Sequence, residues 1–406
     1  MTRAGPPLRI AIFAESYLPY LSGVTVATEA LARGLGAAGH EVLLVAPAPR
    51  AGREPGSAGA MGPEPRTAWL PSFQVPGPAP AGYRVPWRRP SAALREAAAF
   101  RPQIVHAQSP FTSGVMARRL ARRSGAPLVF THHTRFGDYS HYLGPLSAPG
   151  AGLLDAYLQR FWRGCAAIVA PGTELAAEIS DRLGRLRRPV VRMIPTGIEV
   201  AALAALPAID PRPAAGWPPE ALVVTTLGRL AAEKSVDIVL QAFAGVAADQ
   251  AGVRLQVVGG GPSEAPLRVR AGEPDLAGRV HFTGQQPHAT ALSMAKGADL
   301  MASASRTETQ GLVLAEALAL GLPVVAIDGP GVNDSVRDGI DGLVVGGNPA
   351  GEEPRLLAAA LRSLVLDPAR RSAFAHDALA GADRFDGSVR IASMVALYRE
   401  LLARPR

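Results

Sequence analysis

A chain of 406 residues is too long for one ordinary domain and comfortable for two, each able to bury its own core. Its hydrophobic content of 48% is ordinary for a soluble globular protein, and no apolar run reaches the roughly 18 residues of a membrane span. A single cysteine, Cys165, excludes an internal disulfide and suits core packing in a reducing compartment, while a net charge of +8 calls for an anionic partner.

The N-terminal residues enter the first strand almost at once, without the layout of an export signal, which points to a cytoplasmic location. Residues 8–14 read as a buried strand and 25–36 as a helix, and glycine at 23 lets a backbone N–H approach a ligand at that helix start. With a strand over 39–47 this makes a strand-helix-strand unit of a doubly wound sheet. From 48 to 90 Pro, Gly and Ala dominate, and a connection of that length is usually functional or mobile. Within it Trp87-Arg88-Arg89 mixes aromatic with basic residues, which suits either a loop dipping into a bilayer interface or a packed surface loop. A helix over 91–100, a strand over 103–107 and a helix over 112–124 follow. Arg118, Arg119, Arg122 and Arg123 share an outward face of the last, a basic stripe suited to phosphate headgroups. The strand over 127–131 delivers Thr131-His132-His133-Thr134 to its C-terminal end, where ligands bind in open α/β sheets. Adjacent histidines point apart and spacing places no third ligand, so no metal is expected there. A helix over 153–163, a strand over 166–170, a helix over 172–183 and a strand over 189–194 complete this half, and 201–219, rich in Ala and Pro, reads as a linker without periodicity.

The second half restarts with a strand over 222–227, followed by Gly228-Arg229-Leu230-Ala231-Ala232-Glu233-Lys234. Arg229 offers a planar fork and Lys234 a compact point charge, together able to neutralise a diphosphate without a metal. The strand over 254–258 ends in Gly259-Gly260-Gly261-Pro262, read as a tight turn because the Gly-x-Gly-x-x-Gly spacing is missing. A strand over 280–283 leads into Gly284. A strand over 298–302 then precedes the polar turn Ser305-Arg306-Thr307-Glu308-Thr309-Gln310-Gly311 and a helix stopped by Gly321 and Pro323. The N–H groups of Gln310, Gly311, Leu312 and Val313 stand at the positive end of that helix, where a phosphate is well received. Glu308 in the turn and Glu316, about two turns into the helix, are too far apart for an adjacent acid pair and suit hydroxyl groups at opposite ends of one ligand. A last strand over 343–345 and helices over 353–366, 369–382 and 389–403 end the chain.

The spacing Glu308-x7-Glu316 with Gly-x-Pro-Val-Val after it, the Gly-Arg-Leu-x-x-x-Lys of 228–234 and the His-Thr of 133–134 resemble the signature of retaining glycosyltransferase family 4, over nearly the whole chain. The resemblance implies an α/β fold of two doubly wound Rossmann-like domains facing across a cleft, the B-type fold (GT-B). Residues 1–199 would bind the acceptor and 200–385 the nucleotide sugar, with a helix of about 386–406 crossing back. It implies a catalytic set of His133, Glu308, Arg229 and Lys234. Gly23 and the Gln310 to Val313 turn would meet the donor's diphosphate, Gly284 the base, Glu316 the ribose, Glu308 the sugar hydroxyls, and His133 the transferred sugar. The nucleotide sugar is then a substrate, with no cofactor or metal required, and no Asp-x-Asp occurs.

The run from 131 to 142 looks most like bacterial enzymes that glucosylate diacylglycerol. Together with Trp87, Arg88, Arg118 and Arg122, Tyr139 and Tyr142 would serve a lipid acceptor at an anionic membrane, the chain sitting peripherally on its inner face. UDP-glucose is the expected donor. A GDP-mannose-dependent mannosyltransferase is the alternative, because these motifs do not separate uridine from guanosine. A sugar-nucleotide epimerase should not need Glu308 and Glu316 at this spacing. A nucleic-acid partner is not expected, since aromatic residues are 5% and no base-stacking platform is visible.

Overall fold

The computed structural model describes residues 5–20, 22–50, 64–74, 83–135, 147–184, 189–346 and 351–404. Two compact units emerge, Met1–Gly197 with Gly387–Arg406, and Ile198–Asp386. In chain order the first holds β1 (Arg9–Phe13), α1 (Gly23–Ala37), β2 (Glu41–Pro47), β3 (Arg66–Leu70), β4 (Ser72–Gln74), β5 (Arg84–Pro86), α2 (Ala92–Ala99), β6 (Ile104–Ala107), α3 (Thr112–Ser124), β7 (Leu128–Thr131), α4 (Ser147–Trp162), β8 (Ala167–Ala170), α5 (Thr173–Leu183) and β9 (Val190–Met193). The second runs through α6 (Val200–Ala205), α7 (Pro211–Ala215), β10 (Leu222–Leu227), α8 (Val236–Ala247), β11 (Val253–Val258), α9 (Glu264–Ala271), β12 (Val280–Phe282), α10 (His288–Lys296), β13 (Leu300–Ser303), α11 (Leu312–Ala319), β14 (Val324–Ile327), β15 (Gly342–Val345), α12 (Glu353–Leu366) and α13 (Pro368–Ala380). Then α14 (Gly387–Ala403) returns to the first unit.

Among the described residues the first unit carries a parallel sheet in the order β3-β2-β1-β6-β7-β8-β9, and the second a parallel sheet in the order β12-β11-β10-β13-β14-β15. Both orders reverse at the first strand, so a switch point lies between β1 and β6 and another between β10 and β13. Strands β6, β7, β8 and β14 are buried along their whole length, which explains why they read as continuous apolar runs rather than alternating ones. The period of two still sorts their side chains. Ala11 and Phe13 of β1 join the core with α3 and α4, whereas Ile10 and Ile12 face a second core made with α1 and α14. Met394, Leu397, Tyr398 and Leu401 anchor α14 in that second core, each apolar side chain worth roughly 2 kcal/mol of burial. In the second unit Val325 and Ile327 face α8 and α12, while Val324 and Ala326 face α10, α11 and α13. Cys165 is buried, its thiol donating to the Phe161 carbonyl, and burial pushes its pKa up.

The structure corrects two expectations. The stretch 48–90 is not one irregular connection: β3 extends the sheet beside β2, and β4 and β5 form an antiparallel hairpin. Arg66 to Leu70 alternates in burial as an edge strand should, but the Pro-rich flanks mask that signal in the sequence. Nor is 201–219 a featureless linker, because α6 and α7 form there, α7 under an Asp210 cap with proline in its first turn.

Candidate active site

In the second unit the loops leaving β10 and β13, the two strands flanking the switch point, are joined by side chains. Lys234 forms an ion pair with Glu308, which brings the cation of the first loop onto the carboxylate of the second. Burial pushes the Glu308 pKa up, but the Lys234 charge and hydrogen bond outweigh it and hold the carboxyl below its ordinary value. A backbone bond of 3.2 Å from Arg306 N–H to the Glu233 carbonyl ties the same loops. Arg229 stands half-exposed, its Nη1 3.5 Å from Glu233 Oε1.

Three residues beyond Glu308 the chain turns into α11 through Gly311, whose φ of 72° and ψ of 45° lie in the left-handed region that favours glycine. The turn is held from below. Ser335 Oγ donates to the Gln310 carbonyl at 2.7 Å and the Gly311 carbonyl at 3.3 Å. The Ser335 carbonyl accepts in turn from Arg384 at 2.9 Å, and Arg384 shares the fully buried Asp341 carboxylate with Arg337, each at 2.7 Å. The geometry thus leaves the first N–H groups of α11, Leu312 and Val313 among them, at a rigidly seated helix start. Glu316 is buried on α11 and takes a 3.0 Å contact from His288 Nε2 at the start of α10.

The glycine run at 259–261 serves close packing as well as turning. A Cβ on Gly259 would fall 1.9 Å from the Gly228 carbonyl oxygen and one on Gly261 2.3 Å from that of Leu230, so the backbone beneath Arg229 rests directly on it. Gly284, with φ of 67°, bridges to Gly259 on the same side.

In the first unit the equivalent strand ends carry Glu15 after β1, Gln108 after β6 and His133 after β7. The buried Glu15 carboxylate accepts from the Thr112 and Ser113 N–H groups at 3.3 and 2.7 Å, capping α3. His132 turns inward against Phe130 and Trp162, whereas His133 Nε2 lies 2.7 Å from Gln108 Oε1. Burial lowers the His133 pKa to about 4. Gly23 is the first residue of α1, behind a Ser22 cap. Tyr139 and Tyr142 lie outside the described residues.

Comparison with known proteins follows the same division. The model described as glycosyl transferases group 1 matches residues 210–379, and that described as glycosyltransferase family 4 matches residues 21–202. An alpha-monoglucosyldiacylglycerol synthase of Streptococcus pneumoniae is 31% identical over 89% of this chain and 79% of its own length. The chain belongs to the group 1 and family 4 glycosyltransferases. A GDP-mannose-dependent alpha-mannosyltransferase of Mycobacterium tuberculosis is also 31% identical, over 92% of each chain. HepE of Anabaena, solved with UDP and glucose, shares the fold with a TM-score of 0.72 at 17% identity, covering 97% of this chain and 100% of that one. The architecture is that of the GT-B glycosyltransferases.

Several contacts of this glycosyltransferase escaped the sequence. His288, Ser335 and Gln108 touch expected site residues without belonging to a recognisable motif. A polar residue just after a strand end was the one available signal, and only Gln108 carried it. The basic stripe of α3 also needs correction: the Arg118 guanidinium lies 5.7 Å over the buried Phe161 ring, leaving Arg119, Arg122 and Arg123 as its exposed members. On the β4–β5 hairpin Phe73 and Trp87 are exposed and in edge contact at 5.1 Å, with Arg89 4.8 Å over the Trp87 ring and Arg88 exposed beside it. No helix among the described residues is long and apolar enough to cross a membrane, and no group of three or more His, Cys, Asp or Glu among them is placed to hold a metal ion.

Proposed function

We propose that the protein transfers glucose from UDP-glucose to diacylglycerol with retention of anomeric configuration. The observation that carries this reading is the Lys234–Glu308 pair at the switch point of the second unit, beside the Gly311 helix start. A cation, an exposed guanidinium at Arg229 and a row of helix N–H groups suit a diphosphate, and the adjacent carboxylate suits sugar hydroxyls.

In this mechanism the bond from the anomeric carbon to the diphosphate oxygen breaks while the acceptor oxygen bonds to the same face. The acceptor proton passes to the departing phosphate oxygen. Arg229, Lys234 and the N–H groups from Gln310 to Val313 stabilise the charge growing on the leaving group, which is the larger electrostatic contribution. Lys234 needs no metal to do this. Gly23 and Gly284 allow close approach to phosphate and base, Glu316 holds the ribose, and Glu308 the sugar. His133, half-buried and held neutral by desolvation, bonds to the sugar and steadies the positive charge building there.

For the acceptor, the name of the pneumococcal relative and the exposed Phe73–Trp87 hairpin with its arginines support a lipid reached from the inner face of an anionic membrane. The mycobacterial relative favours a second reading, mannosyl transfer from GDP-mannose. A panel of radiolabelled sugar nucleotides offered with extracted lipids separates them. Labelled glucosyl diacylglycerol is the expected product; mannosyl product from GDP-mannose alone selects the second reading, and no labelled product from any donor overturns both.

A further inference from the structure

Gln108 is the first residue after β6, at the switch point of the first sheet, where its N–H donates to the Phe13 carbonyl at 2.9 Å. Only 3% of it is exposed. Its Oε1 lies 2.7 Å from His133 Nε2, but its amide Nε2 is buried without a hydrogen-bond partner. The neighbouring His106 cannot supply one, because both of its ring nitrogens are engaged, Nδ1 with Tyr398 at 2.6 Å and Nε2 with Thr131 at 2.7 Å. A buried donor left unpaired is costly, and a position at the carboxyl ends of parallel strands is where such sheets take ligands. His106, His132 and His133 nearby are all held neutral, chiefly by burial, so the surroundings suit an uncharged acceptor rather than phosphate.

We propose that Gln108 is a positioning and specificity residue: its Oε1 holds His133 with Nε2 protonated, and its amide N–H donates to a hydroxyl oxygen of the transferred sugar. The assignment rests on the glycosyl-transfer reading above. It gives the sugar a neutral, directional contact. It also fixes the tautomer of His133, because a ring that donates through Nε2 keeps Nδ1 as its lone-pair acceptor.

Two variants separate the functions of the amide. Gln108→Met keeps the volume and removes both polar ends, whereas Gln108→Glu keeps an acceptor for His133 and, assayed over a pH series, removes the donor once its carboxyl ionises. Each is compared with the wild type on UDP-glucose and its 2-, 3-, 4- and 6-deoxy analogues, or on the corresponding GDP-mannose set if the wild type uses that donor. In the wild type one deoxy analogue should lose about tenfold in kcat/KM, and in both variants that analogue should lose no more than about twofold further relative to the parent sugar. Melting curves check that both variants fold. Full activity of Gln108→Glu, or losses that simply multiply for all four analogues, overturns the assignment; the latter is the result if a buried water takes the amide. These outcomes leave the glycosyl-transfer reading intact, whereas a wild type that transfers no sugar overturns both.

Discussion

Lys234 sits where two demands meet. Its ammonium neutralises Glu308 within the resting protein, and in the proposed reaction it also faces a leaving diphosphate. Lys234→Ala removes both at once. It should lower kcat/KM for the nucleotide sugar by more than about 100-fold, because a preorganised charge at a developing anion is among the larger catalytic contributions. It should also cost about 2 kcal/mol of stability by leaving a largely desolvated carboxylate uncompensated. Glu308→Gln distinguishes the two: that charge is gone, so the melting temperature should recover in Lys234→Ala/Glu308→Gln while transfer stays lost. Steady-state kinetics beside thermal melts check this, and near-normal turnover of Lys234→Ala would refute its role. Both residue types were legible in the chain, each within a motif. That their side chains meet was not, because 74 residues separate them and only the pairing of β10 with β13 brings their loops together.

The turn into α11 depends on contacts at the scale of whole elements. Gly311 holds a left-handed conformation, and a Cβ there would stand 3.1 Å from both the Gly331 carbonyl oxygen and Leu314 Cδ1. Gly311→Ala therefore combines about 1 kcal/mol of backbone strain with a steric misfit that shifts the helix start. The expected outcome is a second unit destabilised by about 1–2 kcal/mol and UDP affinity reduced about tenfold, read by calorimetric titration and melting. Unchanged UDP binding would separate this helix start from the phosphate. The strand-turn-helix order around Gly311 was readable from periodicity, and so was its glycine. The support beneath it was not: Ser335 and Asp341 lie in the connection between β14 and β15 and Arg384 follows α13, so only tertiary packing brings the three together. The same limit explains β3, α6 and α7, which lie in stretches whose proline content suggested loops until tertiary contacts overrode local preference.

For the molecule as a whole, the first unit is closed by a buried polar chain. Tyr398 of α14 reaches His106 on β6, and His106 reaches Thr131 on β7, so the returning helix and two central strands share one hydrogen-bonded line. The sequence placed a helix over 389–403 but not this line, since a histidine inside an apolar strand shows no partner of its own. Burial, and secondarily the nearby His133, lowers the His106 pKa from 6.5 to about 3; His132, chiefly through burial, is also brought to about 3 and His133 to about 4. A histidine depressed in this way binds a proton in the unfolded chain before it does so in the folded one. Stability is therefore fully present above about pH 6.5 and is lost as pH falls from there toward 4 and 3. Across pH 6.5 to 4.5 the unfolding free energy should decline with falling pH, with the steepness set by the protons taken up on unfolding. His106→Gln keeps two hydrogen-bonding ends and removes one titrating group, so its uptake should fall by about one proton whatever its absolute stability. Tyr398→Phe instead keeps the titrating ring and leaves Nδ1 without its partner, so it should cost about 1–2 kcal/mol at pH 7.5 while His106 still contributes to the slope. Urea unfolding measured at several pH values gives both quantities, and an unchanged proton uptake in His106→Gln would show that His106 is not held neutral in the folded first unit.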